Sequence, residues 1–315
     1  MLTAMSCAAF SSCVSARERI KESGNYVRKE IRVEHFDKMV LSGSPTVTFR
    51  QKSGKPRVEV YASDNLIDLL DIRVKKGTLM LGGFKENVSV SYGKLEVSIE
   101  APSLESVVMA GASDFVVDGG LEAGDFNLVV SGNGDAVLNE VDCSGNMSVV
   151  VSGAGDVKLG QVHSSNLSAV MSGNGDAVLN EVDCSSDISV AVSGAGDVNL
   201  GQAQSHSFST VVAGNGDFVA RRVETVGLLA TLSGAGTARL VGKAERAAYT
   251  VSGNGDLKAE DMVVGSVEAT ATGGGDIRCH ATDKLRVRTA GNGSVGYKGN
   301  PKLDYPERDL YKIDD

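Results

Sequence analysis

The sequence predicts an all-β solenoid of stacked coils, each of about 20 residues, closed at its N-terminal end by a less regular β cap. Three observations carry this reading. A Gly-x-Gly-Asp core recurs from Gly132, Gly153, Gly173, Gly194, Gly214, Gly253 and Gly273, with altered copies from Gly111, Gly234 and Gly291, at steps of 18 to 21 residues. Apolar and polar residues alternate with a period of two on both sides of each copy, which means strand, sharp turn, strand. Finally, the density of glycine and β-branched residues excludes helix. A unit this short cannot bury its own apolar face, so it must stack on its neighbours.

Taken in order, residues 1–25 read as the remnant of an export signal or a lipoprotein tether. Met1 to Cys13 are small and apolar, with no charge before Arg17. Phe10-Ser11-Ser12-Cys13 resembles a loose bacterial lipobox with Cys13 as the lipidated residue, and Cys7 is the second choice. Residues 26–100 read as the cap and first coils. Ile31-Arg-Val-Glu-His-Phe36, Val47-Thr-Phe-Arg50 and Val58-Glu-Val-Tyr61 are expected to be edge-capping strands. A short helical turn is expected over residues 64–70, with Asp64 as its cap, and a hairpin turn at Lys75-Lys76-Gly77-Thr78.

Residues 101–300 are the repeat body, and 301–315 a C-terminal tail. Before the turn, Met109, Val130, Val151, Met171, Val192, Val212, Leu232 and Val251 form one inward column, and Val107, Leu128, Val149, Ala169 and Val190 a second. After it, Ala136, Val157, Ala177, Val198, Phe218 and Leu257 point inward, as do Leu138, Leu159, Leu179, Leu200 and Leu240. The column between them faces out: Val137, Lys158, Val178, Asn199, Val219, Arg239, Lys258 and Arg278. The glycines are expected to supply positive φ at the corner, with Ser131 and its equivalents stacked beside them.

One Asp follows each turn: Asp135, Asp156, Asp176, Asp197, Asp217, Asp256 and Asp276. The reading adopted is structural, each carboxylate accepting turn N–H groups. The weaker one is calcium, because carboxylates stacked ~4.8 Å apart repel unless something offsets their charge. The calcium nonapeptide differs, however, in its Gly-Gly-x-Gly-x-Asp spacing and nine-residue period. No metal or other cofactor is expected.

The middle residue of the turn alternates between Asn and Ala, so a coil could be one unit or a pair. Ala, Val and Leu columns cannot fill the wide core of a 41-residue coil, which favours one unit per coil, three-sided. Ten such coils make a body ~48 Å long. Cys143 and Cys184 would then lie two coils apart, ~9.6 Å, and remain free thiols.

Several motifs carry a family resemblance. Phe36-Asp-Lys-Met-Val-Leu-Ser-Gly43, Gly77-Thr-Leu-Met-Leu81, Ala101-Pro-Ser-Leu-Glu-Ser-Val-Val108, the serial Ser-Gly-x-Gly-Asp units and the closing Gly293-Ser-Val-Gly-Tyr-Lys-Gly-Asn-Pro301 resemble the head GIN domain putative adhesin family, from about Phe36 to Pro301. The resemblance implies a right-handed parallel β-helix akin to pectin lyases, in envelope lipoproteins of Bacteroides-like bacteria, with no catalytic residues. The chain departs from the family pattern in its near-identical units, residues 131–161 being nearly repeated at 172–202.

Charge and motifs narrow the function. A net charge of −9 argues against nucleic acid, although residues 17–60 carry +5. Trp is absent and aromatics are few, which weakens any stacking platform for sugars or bases. Gly291-Asn-Gly-Ser-Val-Gly296 spells the dinucleotide fingerprint, but Tyr297-Lys-Gly-Asn-Pro301 cannot open the required helix. His35, His163, His206 and His280 have no zinc-ligand company. The best catalytic cluster, Arg221 and Arg222 with Asp217 and Glu224, reads as a solvated turn. The expected function is therefore a non-enzymatic envelope protein, in the outer membrane and facing periplasm or exterior, that presents a repetitive surface to a glycan or protein and meets the membrane only through a lipid anchor. The alternatives are a carbohydrate-active lyase or hydrolase on a β-helix, marked by convergent carboxylates and a basic residue in a groove, and a structural spacer.

Overall fold

A computed structural model describes residues 18–85, 88–304 and 309–313. One coil shows how the body is made. Strand Val157–Met171 pairs in parallel with Ala177–Val192 in three runs: Val157 to Leu159, Gln161 to Ser164 and Asn166 to Met171. Gly160 and Ser165 break the pairing at two corners, and Ser172 to Asp176 make the third. Val157 sits opposite Ala177, one unit further on, so one unit is one coil. About ten such turns form a parallel β-solenoid.

Every residue assigned above to an inward column is buried, and the column between them is exposed or half-buried. The rest of the core, which the alternation beside the glycines does not mark, comes from the third side and from the far end of the strand that runs into the corner. Val141, Val162, Val182, Ala203, Val223 and Met262 stack along one, and Phe126, Met147, Leu167, Ile188, Phe208 and Leu228 begin the other. The Val141 side lacks a Gly landmark and keeps only one or two alternations, so no period is readable there, whereas Phe126 and its equivalents extend the inward alternation of Leu128 and Val130 by one position. Each such side chain contributes about 1.5–3 kcal/mol by leaving water.

The glycines are required for a different reason from the one expected. In the corner ladder only Gly43 (φ 96°) and Gly291 (φ 136°) have clearly positive φ. The others are needed because the next coil leaves no room. A Cβ on Gly132, Gly153, Gly173 or Gly194 would lie 1.7 to 1.9 Å from the carbonyl oxygen of the ladder residue one coil before. Behind this close contact are coil-to-coil hydrogen bonds, such as Asn174 N–H to Gly153 O and Ala195 N–H to Gly173 O, 3.0 and 3.1 Å.

The cap does not follow chain order. Lys38–Leu41 and Thr46–Gln51 form a coil whose neighbours on one side are Ser106–Met109 and Asp114–Ala123, and on the other Thr78–Phe84 and Leu95–Ala101. The chain thus lays down one coil, leaves it to build the cap beneath, then steps over it to continue the stack. Val47-Thr-Phe-Arg50 is therefore an interior strand, not an edge. The capping strands are Arg57–Ser63 and Leu70–Lys75, each antiparallel to the coil it covers, with Tyr26–Ile31 outermost and bearing Arg28, Lys29 and Glu30. A charged edge discourages further strand addition.

Lys76 (φ 51°) and Gly77 (φ 74°) turn the hairpin between Leu70–Lys75 and Thr78–Phe84, with two left-handed residues in succession as a tight primed turn requires. The short helix is Asp64–Ile67, and its N-cap is Ser63 rather than Asp64. Asp64 instead accepts hydrogen bonds from Ser23 Oγ (2.5 Å) and Asn25 Nδ2 (2.8 Å), tying the chain entry to the cap. Those bonds hold its carboxyl below the usual range. At the far end Val295–Lys298 stacks on the last long strand, Ile277–Thr289, and Leu310–Lys312 on Val295–Lys298.

Candidate interaction surface

With one unit per coil, each residue position becomes a column along the body, and each column has its own chemistry. The Asp column forms a hydrogen-bonded ladder. Each carboxylate Oδ1 accepts the backbone N–H of the equivalent residue in the next coil: Asp156 N–H to Asp135, Asp176 N–H to Asp156, Asp197 N–H to Asp176 and Asp217 N–H to Asp197, at 2.8 to 2.9 Å. Asp217 receives Thr237 N–H (2.7 Å), Asp256 receives Asp276 N–H (3.0 Å), and Asp276 receives both N–H and Oγ–H of Ser294 (2.8 Å each). The donors are N–H groups of the following coil rather than of the same turn, so the carboxylates bind coil to coil. Among the described residues no group of three or more His, Cys, Asp or Glu converges as a metal site.

This arrangement has a measurable consequence. Asp176→Ala leaves the Asp197 N–H without its acceptor and is expected to lower the melting temperature by roughly 2–4 °C, with Asp176→Asn losing less because it retains an acceptor oxygen. Millimolar calcium, compared with sodium at equal ionic strength, is expected to leave the wild-type melting temperature unchanged. A steep rise reversed by chelation would instead show a metal bound to the folded state.

The inward thiols are the next set. Cys143 and Cys184 are buried and free, separated by the coil that carries Ser164, whose Oγ lies 3.1 Å from Cys184 Sγ. Burial pushes the Cys143 thiol up to about 11 and Cys279 to about 12, and raises Cys184 as well. Because the thiolate is the nucleophile, all three are expected to resist N-ethylmaleimide at pH 7.5 in the native protein and to react fully once it is denatured. Fast native modification of Cys143 would contradict its inward placement.

Of the three outward sides, the one carrying Gln161 to Ser164 is charged. Glu122, Glu140, Asp142, Glu181 and Asp183 stand on it, with Gln161 Nε2 donating to Glu181 (3.2 Å) and His163 Nδ1 3.9 Å from Asp183. Near the cap, an open depression of about 480 Å³ brings Glu122, Glu140 and Asp142 together with Lys52. Lys52 Nζ already contacts Glu100 at 3.0 Å. Gln51 fixes one wall by accepting Glu122 N–H (2.6 Å) and donating to the carbonyls of Pro102 and Glu122. This cluster escaped the sequence reading because Lys52 and Glu140 meet only through the out-of-order cap coil.

Arg221, Arg222 and Glu224, read from the sequence with Asp217 as a solvated turn, lie instead within strand Phe218–Leu232. Asp217 belongs to the corner ladder, while Arg222 and Glu224 stand on the charged side, where Arg222 donates to Gln202 (2.9 Å). Gly291 to Gly296 is a corner entering strand Val295–Lys298, as its Gly spacing without a helix required. Cys13 and Cys7 lie outside the described residues. Among the described residues no helix is long and apolar enough to cross a membrane.

Such geometry defines a class: a β-solenoid whose repeated units present regular outward columns. The chain belongs to the family described as "Putative auto-transporter adhesin, head GIN domain", whose family model matches residues 35–209 and 200–301. Among solved structures it is similar to a putative adhesin from Bacteroides fragilis, with 21% identity, 93% of this chain and 95% of that chain covered, and a TM-score of 0.35. A putative lipid binding protein from Parabacteroides distasonis is 20% identical, with 94% and 100% covered and a TM-score of 0.36. A putative adhesin from Parabacteroides merdae is also 20% identical, with 94% and 96% covered and a TM-score of 0.35. No curated protein matches the chain.

Proposed function

We propose that the chain is a non-enzymatic adhesin of a bacterial cell envelope, exported, lipid-anchored through Cys13 and displaying its body to a glycan or protein. The observation that supports this most is repetition. From Glu122 to Asp183 the same outward positions return at each coil with related polar chemistry, which suits many weak contacts acting together rather than one deep site. Adhesion is tested by presenting the full chain, multivalently displayed, to glycan arrays and immobilised proteins. Retention of a glycan or protein class is expected, stronger for the multivalent form than for the single chain. No retention of any ligand by the multivalent form would overturn the reading. Anchoring is tested separately in cells, where the Cys13→Ala form should be released from the membrane fraction.

One observation favours a second reading. Glu122, Glu140 and Asp142 beside Lys52 are the convergent carboxylates and basic residue that a carbohydrate-active enzyme on a β-helix would need. Release of new reducing or unsaturated ends from a polysaccharide panel, abolished by Glu140→Gln, would establish it in place of the first.

A further inference from the structure

The side carrying Asn166 to Met171 differs from the other two. Across eight consecutive coils, from Ser106–Met109 to the run ending at Val251, two of its three outward columns contain no charged and no aromatic side chain, and charge is confined to the third, which carries Asp125, Asp187 and Arg246 at the end of the strands away from the glycine corner. The column nearer the glycine corner is Val108, Val129, Val150, Val170, Ala191 and Val211, continuing into threonine at Thr231 and Thr250. The other is serine or asparagine from Ser106 to Ser209, then Leu229 and Ala248. Val211 and Leu229, two of the four most exposed large apolar side chains among the described residues, stand here. In a chain that is 23% charged, a solvent-facing sheet of this length would ordinarily carry charge on most coils, as the Glu122-to-Asp183 side does.

We infer that the two uncharged columns form the contact surface for a second copy of the chain, packed face to face and antiparallel. Three arguments select that occupant. The first is area: eight coils at ~4.8 Å, with the two uncharged columns spanning ~13 Å of strand, give a face of roughly 500 Å², which with the polar rim around it approaches the ~800 Å² per partner of a specific dimer. The second is register. A two-fold axis parallel to the strands, between the coils of Val170 and Ala191, lays the valine column on itself and the serine column on itself. A parallel dimer would instead set valine against serine. The third is charge. Lys38 lies one coil before Ser106 and Glu268 one coil after Ala248, both exposed, in the same column and equally far from that axis. The antiparallel arrangement therefore places Lys38 opposite the partner's Glu268 at each end. Most carboxylates of the repeat body stand on the charged side and along the Asp ladder, and on this side only Asp125 and Asp187 stand in its third outward column, beyond the two uncharged ones. The absence of outward aromatics makes sugar stacking a poor alternative here.

Sedimentation equilibrium of the full chain, in a Cys7→Ser and Cys13→Ser background, is the test. A dimer with a micromolar dissociation constant is expected. Val170→Lys should weaken it at least tenfold while leaving the thermal melt of the monomer unchanged, and Glu181→Lys on the charged side should not. Lys38→Glu should weaken it and Lys38→Glu with Glu268→Lys should restore it. Spin labels at Ser106→Cys should then lie on the order of 35 Å apart, seven coils, whereas a parallel pair would hold them near 10 Å. A monomer at 100 µM, a dimer indifferent to Val170→Lys, failure of the charge swap, or the short spin-label distance would each overturn the inference.

Discussion

Gly194→Ala is expected to destabilise the chain by at least about 3 kcal/mol, because its Cβ would sit 1.9 Å from Gly173 O, a backbone atom that cannot rotate away. Relief would require separating two coils at the corner, and with it the hydrogen bond from Ala195 N–H to Gly173 O. Since each coil contacts only its neighbours, the damage should be local, and limited proteolysis should open the chain first near Val192–Val212. Gly227→Ala is the control. That glycine has an ordinary φ and no atom within 4 Å of an added Cβ, so its substitution should fall within about 0.5 kcal/mol of wild type. Equal stability of the two variants in guanidinium titrations would contradict the close-approach explanation of the glycine ladder.

Tyr249 carries the second large effect, with opposite signs for two substitutions. It is 1% exposed and is the largest fully buried side chain, flanked in its column by Ala230 and Ala269. The small neighbours are what make room for the ring. Tyr249→Ala should therefore cost about 3–5 kcal/mol, since alanines above and below cannot collapse into the space. Its hydroxyl, however, has no hydrogen-bond partner, and burial pushes the phenol well above its usual pKa. Tyr249→Phe removes that unsatisfied group with little change in shape, and is expected to be neutral or to stabilise by about 1 kcal/mol. A loss above about 2 kcal/mol for Tyr249→Phe would show that the hydroxyl has a partner, such as a buried water.

Much of this was legible from periodicity alone, and the gaps have physical causes. The columns around Val130 and Leu138 could be read because the glycine corner marks the phase of the alternation on both sides. The run through Val141 has no such marker and only one or two alternations, between Glu140 and Asp142, so its phase could not be fixed, while Phe126 extends the readable Leu128–Val130 alternation by one position. Glycine at the corner was recognisable, but its reason was not. A sequence shows that a side chain is absent, whereas the carbonyl occupying that space belongs to a residue one coil away. The same non-locality hid the cap: nothing in Val47-Thr-Phe-Arg50 shows that Leu95–Ala101 and Asp114–Ala123 will flank it. The Asp column was assigned correctly to N–H groups, but to those of the same turn. The charged cluster at Glu122, Glu140, Asp142 and Lys52 depends on that out-of-order coil and was missed with it.

The central claim, that one repeat unit is one coil, is tested most directly by adding a thiol at Ser164, whose inward Oγ lies between the two native cysteines' coils. At one-coil spacing Cα atoms stand ~4.8 Å apart, inside disulfide reach, while Cys143 and Cys184 at ~9.6 Å are beyond it. Ser164→Cys protein is refolded in a glutathione redox buffer so that thiols can pair as the coils form, then denatured under non-reducing conditions with free thiols blocked and mapped by mass spectrometry. A disulfide joining the new cysteine to Cys184 or Cys143 is expected, with no Cys143–Cys184 bridge in either variant or wild type. A Cys143–Cys184 bridge in the native wild-type protein would mean that a pair of units makes each coil.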